Sequence, residues 1–270
     1  MAGDPIRNDL RQYDELVDQW ARPDGAFAML HWLATARAAL VPPAPRPDAL
    51  LVDLGCGGGL LAPRLVGKGY RHVGVDLVTS ALVQARKAGA TPVRADVAAV
   101  PLRDGCADVV CAGELLEHVT DPRRVLSEAC RLLRPGGRLV LDTIAATALA
   151  RLIAVTIGER IPGGAPKGIH DPALFVPPSL VVDECARHGV RVAVHGVRPH
   201  LRQFTRWLLT RRGEVAMIPT WPTAVLYQAY GVKQGAPGRG DPGAGGAAAS
   251  PENSAAVEPV DPDGAAEEIT

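Results

Sequence analysis

The stretch from Leu50 to Leu61 constrains the fold of this chain more than any other. An apolar run ends in Asp53, and a Gly-Cys-Gly-Gly-Gly turn at 55–59 separates that run from a helix-like segment. This pattern is typical of a buried parallel strand that presents a nucleotide-like ligand to the start of a helix. Glycine has no Cβ, so the backbone of the turn can approach a ligand closely.

Short apolar segments alternate with helix-like segments along most of the chain. Strands are predicted at 50–54, 72–76, 92–95, 107–112, 137–143, 190–198 and 223–231, and helices at 59–67, 78–88, 122–134, 146–161 and 178–188. Such alternation predicts an α/β, Rossmann-like fold with a mostly parallel seven-stranded sheet and helices on both faces.

Three regions are predicted along the 270 residues. Residues 1–47 form N-terminal helices and a proline-rich linker over the ligand site, and 48–233 form the α/β domain, with a substrate or lid insert at about 144–178. Residues 234–270 are rich in Gly, Ala, Pro, Ser and Glu, so they are predicted to be a disordered tail.

Composition excludes several classes of protein. The formal net charge is zero and aromatic residues make up 4% of the chain, which argues against a nucleic-acid-binding surface. The five cysteines form no metal-type pair, so reduced thiols in a cytoplasmic protein are expected. The N-terminus lacks the apolar core of a signal peptide, and no transmembrane helix is predicted.

Three acidic residues help to choose between a dinucleotide and S-adenosylmethionine. Asp76 ends the second strand, where it would accept hydrogen bonds from a ribose of either ligand. Asp53 lies just before the turn, where a carboxylate would repel a pyrophosphate but suit an ammonium or sulfonium group. Asp96 follows the third strand and could accept from an adenine amino group. The turn also lacks the last glycine of the dinucleotide fingerprint, so S-adenosylmethionine is favoured.

At this point the chain resembles the class I methyltransferases, and within them the ubiquinone-biosynthesis O-methyltransferases. The general likeness rests on the glycine turn, Asp76 and the Leu-Leu-Arg-Pro-Gly-Gly segment at 132–137. The narrower likeness rests on the segments at 20–31, 113–119 and 166–172, over about residues 13–232. It implies a class I methyltransferase fold and implies that Arg37, Gly55, Asp76 and Gly113 contact S-adenosylmethionine. Asp53, Gly57 and Asp96 complete the predicted cofactor site.

The resemblance also implies a divalent metal, nominally Mg²⁺, at Glu114, Glu117 and His118. Their i, i+3, i+4 spacing would place the three side chains on one face of a helix. The same residue types occur in methyltransferases without a metal, where the carboxylate binds backbone or substrate, so both interpretations stay open. A metal would lower the pKa of a catechol hydroxyl and orient it.

Without a metal, His118 or His170 is the candidate general base, with Asp171 as an orienting carboxylate. The helix at 146–161 is placed where this family is thought to touch membranes, and its apolar residues would suit either a peripheral membrane contact or a lid. The Thr-Ile-Asn-Arg of the family is Thr-Ile-Ala-Ala at 143–146 here, so the acceptor half matches loosely.

The expected activity is therefore methylation of a catechol-like, quinol or other phenolic small molecule. Three alternatives stay open: a methyltransferase with an N- or C-nucleophile acceptor, an NAD-dependent oxidoreductase, and a non-catalytic S-adenosylmethionine-binding protein.

Overall fold

A computed structural model describes residues 7–9, 11–161 and 165–235. All but the first two residues of the predicted tail at 234–270 lie outside this part of the chain. Within it, no helix combines the length and apolar character needed to span a membrane.

One sheet organises the described residues. Its eight strands are β1 (Leu50–Leu54), β2 (Arg71–Asp76), β3 (Thr91–Arg94), β4 (Ala107–Gly113), β5 (Leu133–Ile144), β6 (Val190–Pro199), β7 (Met217–Thr220) and β8 (Leu226–Lys233). The order is β3-β2-β1-β4-β5-β8-β6-β7, with β1 to β5 parallel and β8 antiparallel to both its neighbours. The Rossmann-like α/β fold is confirmed.

The sheet has one strand more than predicted. Among the described strands, the short β7 pairs with β6 alone, antiparallel, at the edge of the sheet. It contains Pro219, which has no backbone N–H to donate, so the sequence of this segment is typical of a loop rather than a strand. An edge position tolerates that loss, because one side of the strand needs no partner.

The helices occupy both faces of the sheet. They are α1 (Arg11–Glu15), α2 (Ala28–Ala39), α3 (Thr79–Ala88), α4 (Pro122–Leu132), α5 (Ala148–Ala150), α6 (Pro178–Arg187) and α7 (Leu201–Thr210). A π-helical stretch, Arg151–Ile157, and a 3₁₀ turn, Gly158–Arg160, continue α5. The helix predicted at 59–67 is reduced to one 3₁₀ turn, Ala62–Leu65, after Gly59 adopts a φ of +77°.

Successive side chains of a strand point to opposite faces of the sheet, so each face has its own hydrophobic core. Val52 and Leu54 pack into the cluster under α4 and α6, whereas Leu51 packs into a cluster with Ala38 of α2. α4 begins where the Asp121 carboxylate accepts the Arg124 N–H at 3.1 Å. Since the first five strands are parallel, their carboxyl ends meet at one edge of the sheet, and the turn after β1 lies there.

Candidate active site

The glycine turn links β1 to the 3₁₀ turn at Ala62–Leu65. Gly55, Gly57 and Gly59 have φ values of +64°, +50° and +77°, which other residues rarely adopt. A Cβ at Gly55 would contact Leu115, and one at Gly57 or Gly58 would contact the Trp20 ring. The turn therefore needs glycine both for its backbone angles and for close packing.

Asp76 ties this turn to the end of β2. Its Oδ2 accepts the Gly57 N–H at 2.8 Å, and its Oδ1 accepts the Val78 N–H at 2.9 Å. Burial raises the pKa of Asp76, although these backbone hydrogen bonds oppose the rise. The structure thus places the Asp76 carboxylate against the glycine turn.

The other two predicted cofactor carboxylates occupy different surroundings. Asp53 is buried at the end of β1, with the His72 Nε2 3.6 Å from its Oδ2. Asp96 is exposed after β3, and its Oδ1 accepts the Ala98 N–H at 2.8 Å. Asp53 lies near the carboxyl end of β1 and Asp96 follows β3, so both are toward the edge of the sheet where Asp76 ends β2.

Arg37 and Gly113 lie against each other. A Cβ at Gly113 would overlap the Arg37 guanidinium. That guanidinium is buried and forms a bidentate pair with Asp142 of β5, at 2.8 Å from Nε and 2.7 Å from Nη2. Arg37 therefore joins α2 to β5, a link that the sequence did not indicate.

The segment after β4 brings two buried carboxyl groups together. Glu114 adopts a φ of +50°, an unusual conformation for a side-chain-bearing residue. The Oε1 atoms of Glu114 and Glu117 are buried and accept no hydrogen bond from the described residues, whereas the Glu117 Oε2 accepts the Thr143 hydroxyl at 2.6 Å. Burial raises the pKa of Glu114 well above its ordinary value and that of Glu117 to about 7.

His118 is held by two residues of the N-terminal segment. Its Nδ1 lies 2.7 Å from the Asn8 Oδ1, and its Nε2 lies 3.5 Å from the Tyr13 hydroxyl. Burial, together with the nearby His170, lowers the pKa of His118 to about 3. The ring is therefore neutral at neutral pH.

The predicted metal ligands Glu114, Glu117 and His118 do not form a metal site. Among the residues that the structure describes, no three His, Cys, Asp or Glu side chains are placed to hold a metal ion. The physical reason is local: the His118 Nδ1 faces the amide oxygen of Asn8, which only accepts hydrogen bonds, and one Glu117 oxygen binds Thr143.

His170 lies beside His118, with ring centroids 5.7 Å apart and an angle of 26° between the ring planes. Its carboxylate neighbour is Glu159, whose Oε1 is 3.7 Å from the His170 Nδ1. Asp171 instead accepts the Ala173 N–H at 3.0 Å and caps a 3₁₀ turn. The predicted pairing of His170 with Asp171 is therefore wrong, since this cap directs the Asp171 carboxylate to the following turn.

An aromatic cluster from the N-terminal segment covers the glycine turn. The rings of Trp20 and Phe27 lie 4.4 Å apart, and Tyr13 lies 6.2 Å from Trp20. The cluster packs on Val78 and Ala81, which follow β2.

The sequence did not indicate three of the residues around the histidines. Asn8 and Tyr13 are more than 100 positions from His118, so no spacing pattern relates them. Glu159 was not predicted because Asp171, next to His170 in sequence, was the nearer carboxylate.

Comparison of the sequence with known proteins assigns the chain to a family. The methyltransferase domain family matches residues 52–141, from β1 to β5. The ubiquinone biosynthesis O-methyltransferase of Burkholderia pseudomallei is 31% identical over 202 residues, 72% of this chain and 87% of that protein. The chain belongs to this family of S-adenosylmethionine-dependent methyltransferases. The protein of the same name from Ralstonia nicotianae is 35% identical over 193 residues, 68% of this chain and 81% of that protein.

Solved structures agree on the fold of this methyltransferase. A Thermotoga maritima protein described as an SAM-dependent methyltransferase, "possible histamine N-methyltransferase", superposes with a TM-score of 0.60. The match covers 84% of this chain and all of that one, at 19% identity. At that identity the likeness shows the fold alone, and the acceptor must be argued from the site.

Proposed function

We propose that this methyltransferase transfers the methyl group of S-adenosylmethionine to a hydroxyl of a catechol-like, quinol or other phenolic small molecule. The observation that carries the proposal is the pair of histidine rings, His118 in the turn after β4 and His170 stacked on it. Relatives named O-methyltransferases support oxygen as the acceptor atom.

The cofactor would lie against the carboxyl ends of β1, β2 and β4. Its adenosine and methionine parts would meet the turn, Asp53, Asp76, Asp96 and Gly113, with Arg37 held behind Gly113 by Asp142. These residues fit the ligand, because a glycine backbone can approach it closely and the carboxylates suit a cationic ligand. When bound, S-adenosylmethionine supplies an activated methyl group and leaves as a neutral thioether.

The protein must then position the acceptor oxygen and remove its proton. We assign proton removal to His170, because Glu159 lies close enough to balance the imidazolium charge. His118 is a poor proton acceptor, since burial disfavours its charged form. We propose that His118 instead accepts a hydrogen bond from the acceptor hydroxyl and orients it.

Methyl transfer from labelled S-adenosylmethionine to a panel of catechols and demethyl-quinols tests the proposal. We expect a methyl ether product, with amine and carbon nucleophiles unreactive. A product methylated only at nitrogen or carbon would overturn it in favour of the second candidate class of methyltransferases.

The same assay with EDTA tests the divalent cation. We expect an unchanged rate, because no three His, Cys, Asp or Glu side chains among the described residues are placed to hold a metal ion. A rate that falls in EDTA and recovers when Mg²⁺ is added would show that the reaction requires a divalent cation.

A further inference from the structure

Asn8 connects the two loops that carry the histidines. Its backbone N–H donates to the Gly168 carbonyl at 2.9 Å, two residues before His170. Its side-chain Nδ2 donates to the His118 carbonyl at 3.0 Å, and its Oδ1 faces the His118 Nδ1 at 2.7 Å. To do this, Asn8 adopts a left-handed φ of +56°.

These contacts select one tautomer of His118. Because Nδ2 of Asn8 is the donor to the His118 carbonyl, Oδ1 is the atom that faces the imidazole, and an amide oxygen can only accept. The His118 Nδ1 must therefore carry the proton. In a neutral ring this leaves the lone pair on Nε2, where the Tyr13 hydroxyl lies at 3.5 Å.

Glu159 holds the His170 loop in a similar way. Its Oε2 accepts the backbone N–H of Gly168 at 2.9 Å, and its Oε1 accepts the backbone N–H of His170 at 3.4 Å. Arg7 donates to the His170 carbonyl at 2.8 Å and pairs with Glu159 at 3.5 Å. The Glu159 side chain is only 4% exposed, so its charge acts on His170 with little screening by water.

We propose that Asn8 and Glu159 are positioning residues for methyl transfer: Asn8 fixes His118 with Nε2 as a hydrogen-bond acceptor, and Glu159 fixes the loop that carries the imidazole of His170, which takes the proton. The proposal rests on the proposed phenolic O-methylation. As the O–H proton passes to His170, the oxygen electron pair forms the new O–CH₃ bond. The electrons of the S–CH₃ bond stay on sulfur, and Glu159 balances the positive charge on His170.

The tautomer of His118 can be measured without any turnover. In full-length protein labelled with ¹⁵N-histidine, we expect the His118 Nδ1 to be the protonated nitrogen at neutral pH, assigned by comparison with His118→Gln. Asn8→Ala should convert this signal to a mixture of tautomers, whereas Asn8→Asp keeps an oxygen opposite Nδ1 and should retain it.

Kinetics test whether that arrangement matters for the reaction. We expect Asn8→Ala and Glu159→Gln each to lower kcat by about 10- to 100-fold with little change in the KM for S-adenosylmethionine. Asn8→Asp should recover most of the lost rate. Arg11→Gln is the matched control, because Arg11 lies in the same segment, is 75% exposed and pairs only with Asp9 among the described residues.

The outcomes separate this proposal from the proposed function. A wild-type protein that methylates no phenol removes the function, yet a protonated Nδ1 that depends on Asn8 still supports the tautomer assignment. A proton on Nε2, or an Asn8→Ala protein with unchanged tautomer and kcat, overturns the proposal. S-adenosylhomocysteine binding by calorimetry shows that each variant remains folded.

Discussion

At the scale of single residues, Arg37 and Asp142 form the most enclosed ion pair of the site. The Asp142 side chain is fully buried and that of Arg37 is 8% exposed. Such a pair need not stabilise a fold, but removing one partner leaves a charge in a low-dielectric interior. Arg37 is therefore expected to affect stability in addition to any effect on the cofactor.

Arg37→Met should lower the free energy of unfolding by about 3–5 kcal/mol, because it leaves the Asp142 carboxylate without its cation. Adding Asp142→Asn should recover part of the loss. Arg46→Met is the matched control, since Arg46 pairs with Asp108, which keeps Arg134 as a second partner. Urea unfolding measures all of them, and equal losses at positions 37 and 46 would contradict this account.

Glu117 gives the second prediction at this scale. Burial raises its pKa from 4.5 to about 7, so the folded protein binds more protons than the unfolded chain within that window. The contribution of protonated Glu117 to the free energy of unfolding is therefore complete below pH 4.5. It is lost as the pH rises from 4.5 toward 7, by on the order of 3 kcal/mol at most.

Glu117→Gln should weaken this pH dependence and raise stability at pH 8, because an amide carries no charge and still accepts from Thr143. Urea unfolding at pH 5 and pH 8 measures the difference. The exposed Glu15→Gln should keep the wild-type dependence. A Glu117→Gln protein whose stability changes with pH as steeply as the wild type would refute the prediction.

At the scale of elements, α5 and its continuation present two different faces. Ala150 is buried and packs with Ile144 and Phe175, and Ala154 and Val155 pack against the same cluster. Large apolar side chains on the other face are between 39% and 49% exposed: Leu149, Leu152, Ile153 and Ile157. Arg151 and Arg160 accompany them, which suits an interfacial helix.

We expect the protein to sediment with vesicles that contain anionic phospholipid, and the double variant Leu152→Glu, Ile153→Glu to lose this binding. The reason is that two carboxylates would have to enter the apolar interface. Val83→Glu is the control, because Val83 is 50% exposed on α3. Binding that survives the double variant would favour the lid interpretation.

At the scale of the whole molecule, the sequence predicted contacts between residues that are close along the chain, but not contacts between residues that are far apart along it. The glycine turn and Asp76 are recognisable because a strand, a turn and the next strand follow one another within 27 residues. Asn8 and His118 are 110 positions apart, so no spacing pattern could relate them. Glu159 was overlooked because Asp171 is adjacent to His170 in sequence, although the fold directs Asp171 to a cap.

The N-terminal segment and the sheet belong to one compact unit, which leads to a prediction about motion. Tyr13, Trp20 and Phe27 cover the glycine turn, so the cofactor must pass this cover to reach the turn. A ligand that binds beneath the closed cover shifts the equilibrium away from its open form.

Amide hydrogen exchange over residues 11–27 should therefore slow by at least about threefold when S-adenosylhomocysteine is added in excess. Helix α6 packs against α4 and β6, away from the cover, and serves as the internal control. Exchange that slows equally in α6 would indicate general stabilisation. Exchange that is unchanged over 11–27 while calorimetry shows binding would mean that the cofactor reaches the turn without the cover closing over it.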